Sequence, residues 1–120
     1  MHIEELQQYC LSKPHTSNDF PFDEKTLVFR VANKIFAITS IVPDSETVNL
    51  KCNPERAEEL REEHPELIIP GYHMSKKHWN TVNYVYLPKP LLIELIDHSY
   101  DLITASFSKK MQKELGFIHD

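Results

Sequence analysis

The segment Pro70-Gly-Tyr-His-Met-Ser-Lys-Lys-His-Trp-Asn-Thr-Val82 gathers the residue types best suited to chemistry or recognition. His73 and His78 can ligate a metal or take a proton. Lys76 and Lys77 can meet a phosphate or a carboxylate, and Trp79 or Tyr72 can stack on a base or another ring. Metal binding needs more than this. Structural zinc takes four Cys or His ligands at short spacings, and catalytic zinc usually combines His with a carboxylate. Neither set is complete even if His98 approaches, so no metal and no cofactor are expected. Nucleophilic catalysis lacks its parts too. Cys52 falls on the inward phase of a strand and Cys10 on the apolar face of a helix, which makes both packed thiols. There is no Gly-x-Ser-x-Gly elbow, His-Glu-x-x-His helix or Gly-rich phosphate loop. The glutamates at 58–59 and 62–63 form a solvated helix face. No catalytic residue is assigned, and an enzyme is not expected. What remains is contact through His73, Lys76, Lys77 and His78, with Trp79 either a stacking surface or a lock that holds the segment on the core.

The elements that position this segment follow from periodicity. A helix runs from His2 to about Ser12, with Ile3, Leu6, Tyr9 and Cys10 on one face, and Pro14 stops it. Phe20-Pro-Phe22 begins the sheet region as an edge or entry piece, because proline cannot donate to a ladder. Strands are expected over Leu27–Val31 and Lys34–Ile41, joined by a two-residue turn at Ala32-Asn33, where Asn tolerates positive φ. Pro43-Asp-Ser-Glu46 makes the next loop. Thr47–Cys52 alternates, with Val48, Leu50 and Cys52 inward. Asn53-Pro54 starts a helix that ends near His64. Glu66–Ser75 reads as an irregular connector and Asn80–Leu87 as the last strand or strands. A helix with Leu92, Leu95, Ile96, Ser99, Tyr100, Ile103 and Phe107 on one face covers the sheet. Ser108 caps a short final helix that ends before Gly116. Strands joined by short hairpins imply an α+β two-layer sandwich, an antiparallel sheet with helices on one face, in the order α-β3-α-β2-α.

Size and composition agree with one domain over residues 1–120. The chain is 41% hydrophobic and 26% charged, which argues against disorder. The net charge of −5 opposes indiscriminate binding to phosphate backbones. Six of the acidic residues are the glutamates of Glu55–Glu66. No signal peptide and no apolar run of membrane-spanning length is present, so a cytoplasmic protein with reduced thiols and no membrane contact is expected.

The chain resembles the MmcQ/YjbR family of small bacterial proteins. The resemblance is carried by Asp19-Phe-Pro-Phe22, Val28-Phe-Arg-Val31, Lys34-Ile-Phe-Ala37, Asn49-Leu-Lys-Cys52 with Asn53-Pro-Glu55, Leu60-Arg61, Pro70-Gly-Tyr-His-Met74, Lys76-Lys-His-Trp-Asn-Thr-Val82 and Ser99-Tyr100. It implies a two-layer α+β fold compared with the frataxin-like CyaY proteins and with type III secretion chaperones. It also brings the description of a double-wing DNA-binding protein in which two β-hairpins act as wings. Asp23 and Asn33 stand where the family often has glycine, and both fall in the hairpins proposed as wings. A DNA reading carried onto this chain selects Arg30, Lys34 and Lys51 beside Lys76, Lys77 and His78. An iron role like that of CyaY would want an acidic ridge on the first helix, where only Glu4 and Glu5 stand. The competing expectation is an adaptor for another protein or a small ligand, using the sheet face or the His73–Trp79 loop. The DNA reading requires the basic groups to share one face; the adaptor reading requires an apolar-aromatic patch or pocket.

Overall fold

Short polar signals set most element boundaries in the computed structural model, which describes residues 1–119. Helix α1 (Ile3–Leu11) is capped at His2 by a reciprocal pair with Glu5. Strands β1 (Thr16–Asp19), β2 (Thr26–Val31), β3 (Lys34–Ser40) and β4 (Thr47–Lys51) follow. Helix α2 (Pro54–Glu63) begins where Asn53 Oδ1 accepts the amides of Glu55 and Arg56, with proline at a position that needs no donor. Strands β5 (Ile68–Pro70) and β6 (Trp79–Asn83), then helices α3 (Lys89–Ala105) and α4 (Lys109–Glu114), complete the order. Ser108 Oγ accepts the Met111 amide at the start of α4.

The strands form one antiparallel sheet in the order β1-β2-β3-β4-β6-β5. The helices lie on one face of it. Leu27, Phe29, Val31, Val48 and Leu50 of the sheet share a core with Leu6 and Cys10 of α1, Ala57 and Leu60 of α2, and Leu92, Leu95, Ile96, Tyr100 and Ile103 of α3. This is the α+β two-layer sandwich that hairpin spacing implies. Ala32 and Asn33 sit at φ of 45° and 75°, so the β2–β3 turn takes the left-handed conformation at both residues without a glycine.

The register slips between β2 and β3: Phe29 pairs with Ala37, while Arg30 pairs with Ile35. Phe36 is the extra residue of a bulge. Phe36 and Ala37 are therefore both buried against the helices, and Ile35 and Ile38 both come to the other face. Ser99 of α3 ties this irregularity to the core. Its Oγ donates to the Phe36 carbonyl at 2.6 Å and accepts the Lys51 amide at 2.9 Å.

Two strands lie outside the sequence expectation. Thr16–Asp19 has no apolar alternation, yet it pairs along β2 from Thr16–Val31 to Asp19–Val28. It adds a fourth strand ahead of α2, whereas the expected entry piece Phe20-Pro-Phe22 is a bend with both phenylalanines exposed. Within the Glu66–Ser75 connector, Ile68–Pro70 adds an edge strand against β6. The last strand is shorter than Asn80–Leu87 suggests. Asn83 Oδ1 accepts the amides of Val85 and Tyr86 and turns the chain out of the sheet. Phe107 also lies just past α3, not within it, though it still joins the core. No helix among the described residues is long and apolar enough to cross a membrane.

Candidate functional site

The connector from Gly71 to His78 folds over the end of β6 because Gly71 lets two backbones approach. The Gly71 amide donates to the Trp79 carbonyl at 2.8 Å. A Cβ at residue 71 would lie 2.9 Å from both Trp79 Cβ and Trp79 O, closer than side chains tolerate. Side chains then fasten the connector from both faces of the sheet. On the helix-free face, the Tyr72 amide donates to Thr81 Oγ1 at 2.9 Å, and Thr81 Oγ1 donates to Asn49 Oδ1 at 2.5 Å. On the helix side, Arg61 of α2 donates through Nε to Asn80 Oδ1 at 2.7 Å and through Nη2 to the carbonyls of Lys76 and Trp79. His73 is held at a φ of 59° at the tip.

The residues singled out from sequence are dispersed by this arrangement. His73, Lys76, Lys77 and His78 are exposed, with Lys76 Nζ 3.4 Å from the Gly71 carbonyl. Trp79 is half-buried and sits opposite Lys51 in the β4–β6 register, so the two share the helix-free face. Arg30 reaches that face as well, but its guanidinium is bound to Asp19 Oδ1 at 2.8 Å and to the Asn33 carbonyl at 3.1 Å. Lys34 goes to the helix side, where its Nζ lies 5.8 Å from the Phe107 ring centroid. The basic groups thus do not form a single free patch.

The structure instead opens a groove of about 630 Å³ on the helix-free face. Ile35, Ile38 and Ser40 of β3 and Thr47 and Asn49 of β4 contribute its floor. Phe22, from the β1–β2 connection, stands at one side; Tyr72, His73 and Met74 of the connector stand at the other. Phe22 is 69% exposed and Tyr72 66% exposed, an unusual presentation for two rings. The Tyr72 and His73 rings lie 4.0 Å apart, centroid to centroid. None of the lining residues is Lys, Arg, Asp or Glu. Sequence reasoning names His73 here and misses the floor, because period-2 alternation puts residues 35 and 38 on opposite faces. Only the bulge at Phe36 brings both isoleucines to one side.

The Phe22 side of the groove is shaped by the turn at Asp23. Asp23 Oδ1 accepts the Lys25 and Thr26 amides at 2.8 and 2.6 Å, a turn that a glycine could not cap. Those backbone donors hold the Asp23 carboxyl below its ordinary pKa.

A cleft of about 750 Å³ lies between α2 and α3, but Arg56, Glu94 and Asp97 of its lining pair with one another or with neighbours. Arg56 meets Glu94 at 3.3 Å, Lys13 meets Asp97 at 2.7 Å, and His98 Nε2 accepts the Asn53 amide at 3.1 Å. Tyr9 also donates to Asp97 at 2.6 Å, so this cluster knits α1 to α3. Burial, followed by the Asp97 contact, raises the Tyr9 phenol to about 12. Cys10 and Cys52 are free and buried. Burial pushes the Cys10 thiol up to about 12 and raises that of Cys52 as well. Among the described residues, no three His, Cys, Asp or Glu side chains come together to hold a metal ion.

Comparison with known proteins settles the lineage. The YjbR family model matches residues 11–102. This chain belongs to the YjbR family. It is 38% identical over 102 residues to the uncharacterized protein YjbR of Escherichia coli K12, an alignment covering 83% of this chain and 85% of that protein. The uncharacterized protein YbdF of Escherichia coli O157:H7 is 32% identical over 116 residues, covering 93% of this chain and 92% of the relative. Among solved structures, the Deinococcus radiodurans protein DR2400, a DUF419 domain, superposes with a TM-score of 0.88 at 44% identity. That match covers 95% of this chain and 87% of DR2400. A Pseudomonas syringae protein superposes at 0.73 with 28% identity, covering 85% and 98% of the two chains. The YjbR family assignment therefore rests on sequence and on fold together.

Proposed function

We propose that this YjbR-family protein is a non-enzymatic binding module that takes its ligand on the helix-free face of the sheet. The observation that carries this reading is the groove between Phe22 and Tyr72, with its isoleucine floor. Exposing two large rings beside apolar side chains costs solvation free energy, and ligand sites commonly account for such patches. The volume falls within the usual range for small-ligand sites, about 300–1,000 Å³. His73 is the one imidazole among the lining side chains, and its ring neighbours Tyr72 rather than a carboxylate or thiol. An acid–base pair or activated nucleophile is thus not assembled there.

This reading selects an adaptor over a DNA-binding protein. Salt-sensitive phosphate binding needs several free cations on one face. Here Arg30 is paired with Asp19, and Lys34 lies on the opposite side of the sheet. The test uses the uncharged dye Nile red as a probe. Wild-type protein should give a saturable fluorescence increase at one site; the double substitution Phe22→Ala, Tyr72→Ala should remove it, and Lys76→Ala, Lys77→Ala should leave it. Dye binding that ignores Phe22 and Tyr72 overturns the proposal. So does low-salt retention on duplex DNA that vanishes with the two lysines.

A further inference from the structure

We infer that the groove selects a planar, uncharged aromatic small molecule that accepts hydrogen bonds, an inference that rests on the binding reading above. Three properties of the lining lead there.

The first is charge. Lys, Arg, Asp and Glu are absent from the lining, and the nearby Arg30 guanidinium is already bound to Asp19. An ionic ligand entering this groove would lose hydration without gaining a carboxylate, ammonium or guanidinium partner, a cost the ring faces of Phe22 and Tyr72 offset only in part and only for a cation. A phosphate-bearing ligand is disfavoured for the same reason.

The second is width. The floor is β3 and β4, and the walls rise from beside β2 and above β6. Those strands are three sheet spacings apart, roughly 14 Å at about 4.8 Å per step. The side chains of Phe22 and Tyr72 narrow that span from both sides. A helix with its side chains is about 10–12 Å across and does not fit between them. A flat ring system does, with its face or edge against the two exposed rings, the geometry aromatic pairs prefer.

The third is the pattern of donors. Thr81 and the connector occupy Asn49. Ser40 Oγ accepts the Val42 amide at 3.3 Å and keeps its own hydrogen to give. The Thr47 hydroxyl makes no hydrogen bond to the described residues. Two hydroxyl donors on a floor whose remaining polar side chain, Asn49, is already engaged match a carbonyl, phenol or ring nitrogen on the ligand. Thr47 and Ser40 are therefore the specificity-determining residues.

The experiment is amide chemical-shift mapping with three isosteres: 2-naphthol, 2-naphthoate and 2-naphthylmethylammonium. The expected result is saturable shifts at Phe22, Ile38, Thr47 and Tyr72 with 2-naphthol. Its dissociation constant should be at least tenfold lower than that of either charged isostere. Thr47→Val should weaken 2-naphthol at least threefold, with little effect on naphthalene itself. If a charged isostere binds these residues as tightly as 2-naphthol, the ligand class is wrong while the groove stands. Binding of an uncharged, extended apolar peptide to the groove, with none of the three isosteres binding, likewise overturns the ligand class and keeps the groove. If nothing shifts these residues, both the ligand class and the groove reading fail.

Discussion

Replacing Ser99 with alanine tests whether the bulge that builds the groove floor is held from beneath. Ser99 is fully buried, and its hydroxyl serves two main-chain groups on adjacent strands: the carbonyl of Phe36 and the amide of Lys51. Alanine removes the donor and the acceptor together at a site with no solvent exposure. Each buried main-chain group left unpaired costs about 1–3 kcal/mol, so the pair should cost about 2–4 kcal/mol after partial relaxation. That is a large share of a total stability of about 5–15 kcal/mol for a domain of this size. Urea unfolding followed by the fluorescence of Trp79, the sole tryptophan, reads the effect. With a slope of about 1–3 kcal/mol per molar urea, the midpoint should fall by roughly 1–2 M. Ser106→Ala is the control, because the Ser106 hydroxyl only donates to the Ile103 carbonyl within an exposed helix end. If Ser99→Ala lies within about 0.5 kcal/mol of wild type, below the usual cost of a buried unpaired group, the bulge does not depend on Ser99. A loss no larger than that of Ser106→Ala leads to the same conclusion.

Gly71→Ala should destabilise the protein by about 1–3 kcal/mol, the usual range for forcing atoms into a packed site. It should also alter Trp79 emission and weaken Nile red, since the new Cβ meets Trp79 and Met74 and displaces the wall that carries Tyr72; unchanged emission and binding would refute it. Stability should fall as pH rises from about 9 towards about 12, because Cys10, Tyr9 and Tyr100 keep their protons in the fold up to about 12. In the unfolded chain the same groups titrate from ordinary values of 9.0 for the thiol and 10.0 for the phenols. The unfolded state thus releases protons first, so stability is fully present below that range and is lost through it. Cys10 alone contributes a slope of about 1.4 kcal/mol per pH unit. Urea midpoints at pH 8, 9.5 and 10.5 check this, with Cys10→Ala expected to flatten the decline; midpoints that hold constant would contradict it.

The sequence by itself determined the elements whose stabilisation is local. Asn53-Pro54 placed the start of α2, and Ser108 placed that of α4. Ala32-Asn33 fixed the β2–β3 turn, and the 3.6-residue spacing from Leu92 to Ile103 named the buried face of α3. The special character of Pro70–Val82 was legible too, since its glycine, lysines and tryptophan stand close together in the chain. Strand β1 was hidden because its polar residues gain their place from main-chain pairing with β2, and β5 because three residues ending in proline are too short to show a strand period. The groove was hidden for a related reason. Phe22, Ile38, Thr47 and Tyr72 come from four separate stretches of chain, and a register slip decides which face Ile35 and Ile38 occupy. Local hydrogen bonds and periodicity act between neighbours in sequence and can be read from it. Register, bulges and the pairing of Arg30 with Asp19 depend on what the folded sheet places alongside, so only the tertiary structure decided where the YjbR-family fold offers its groove.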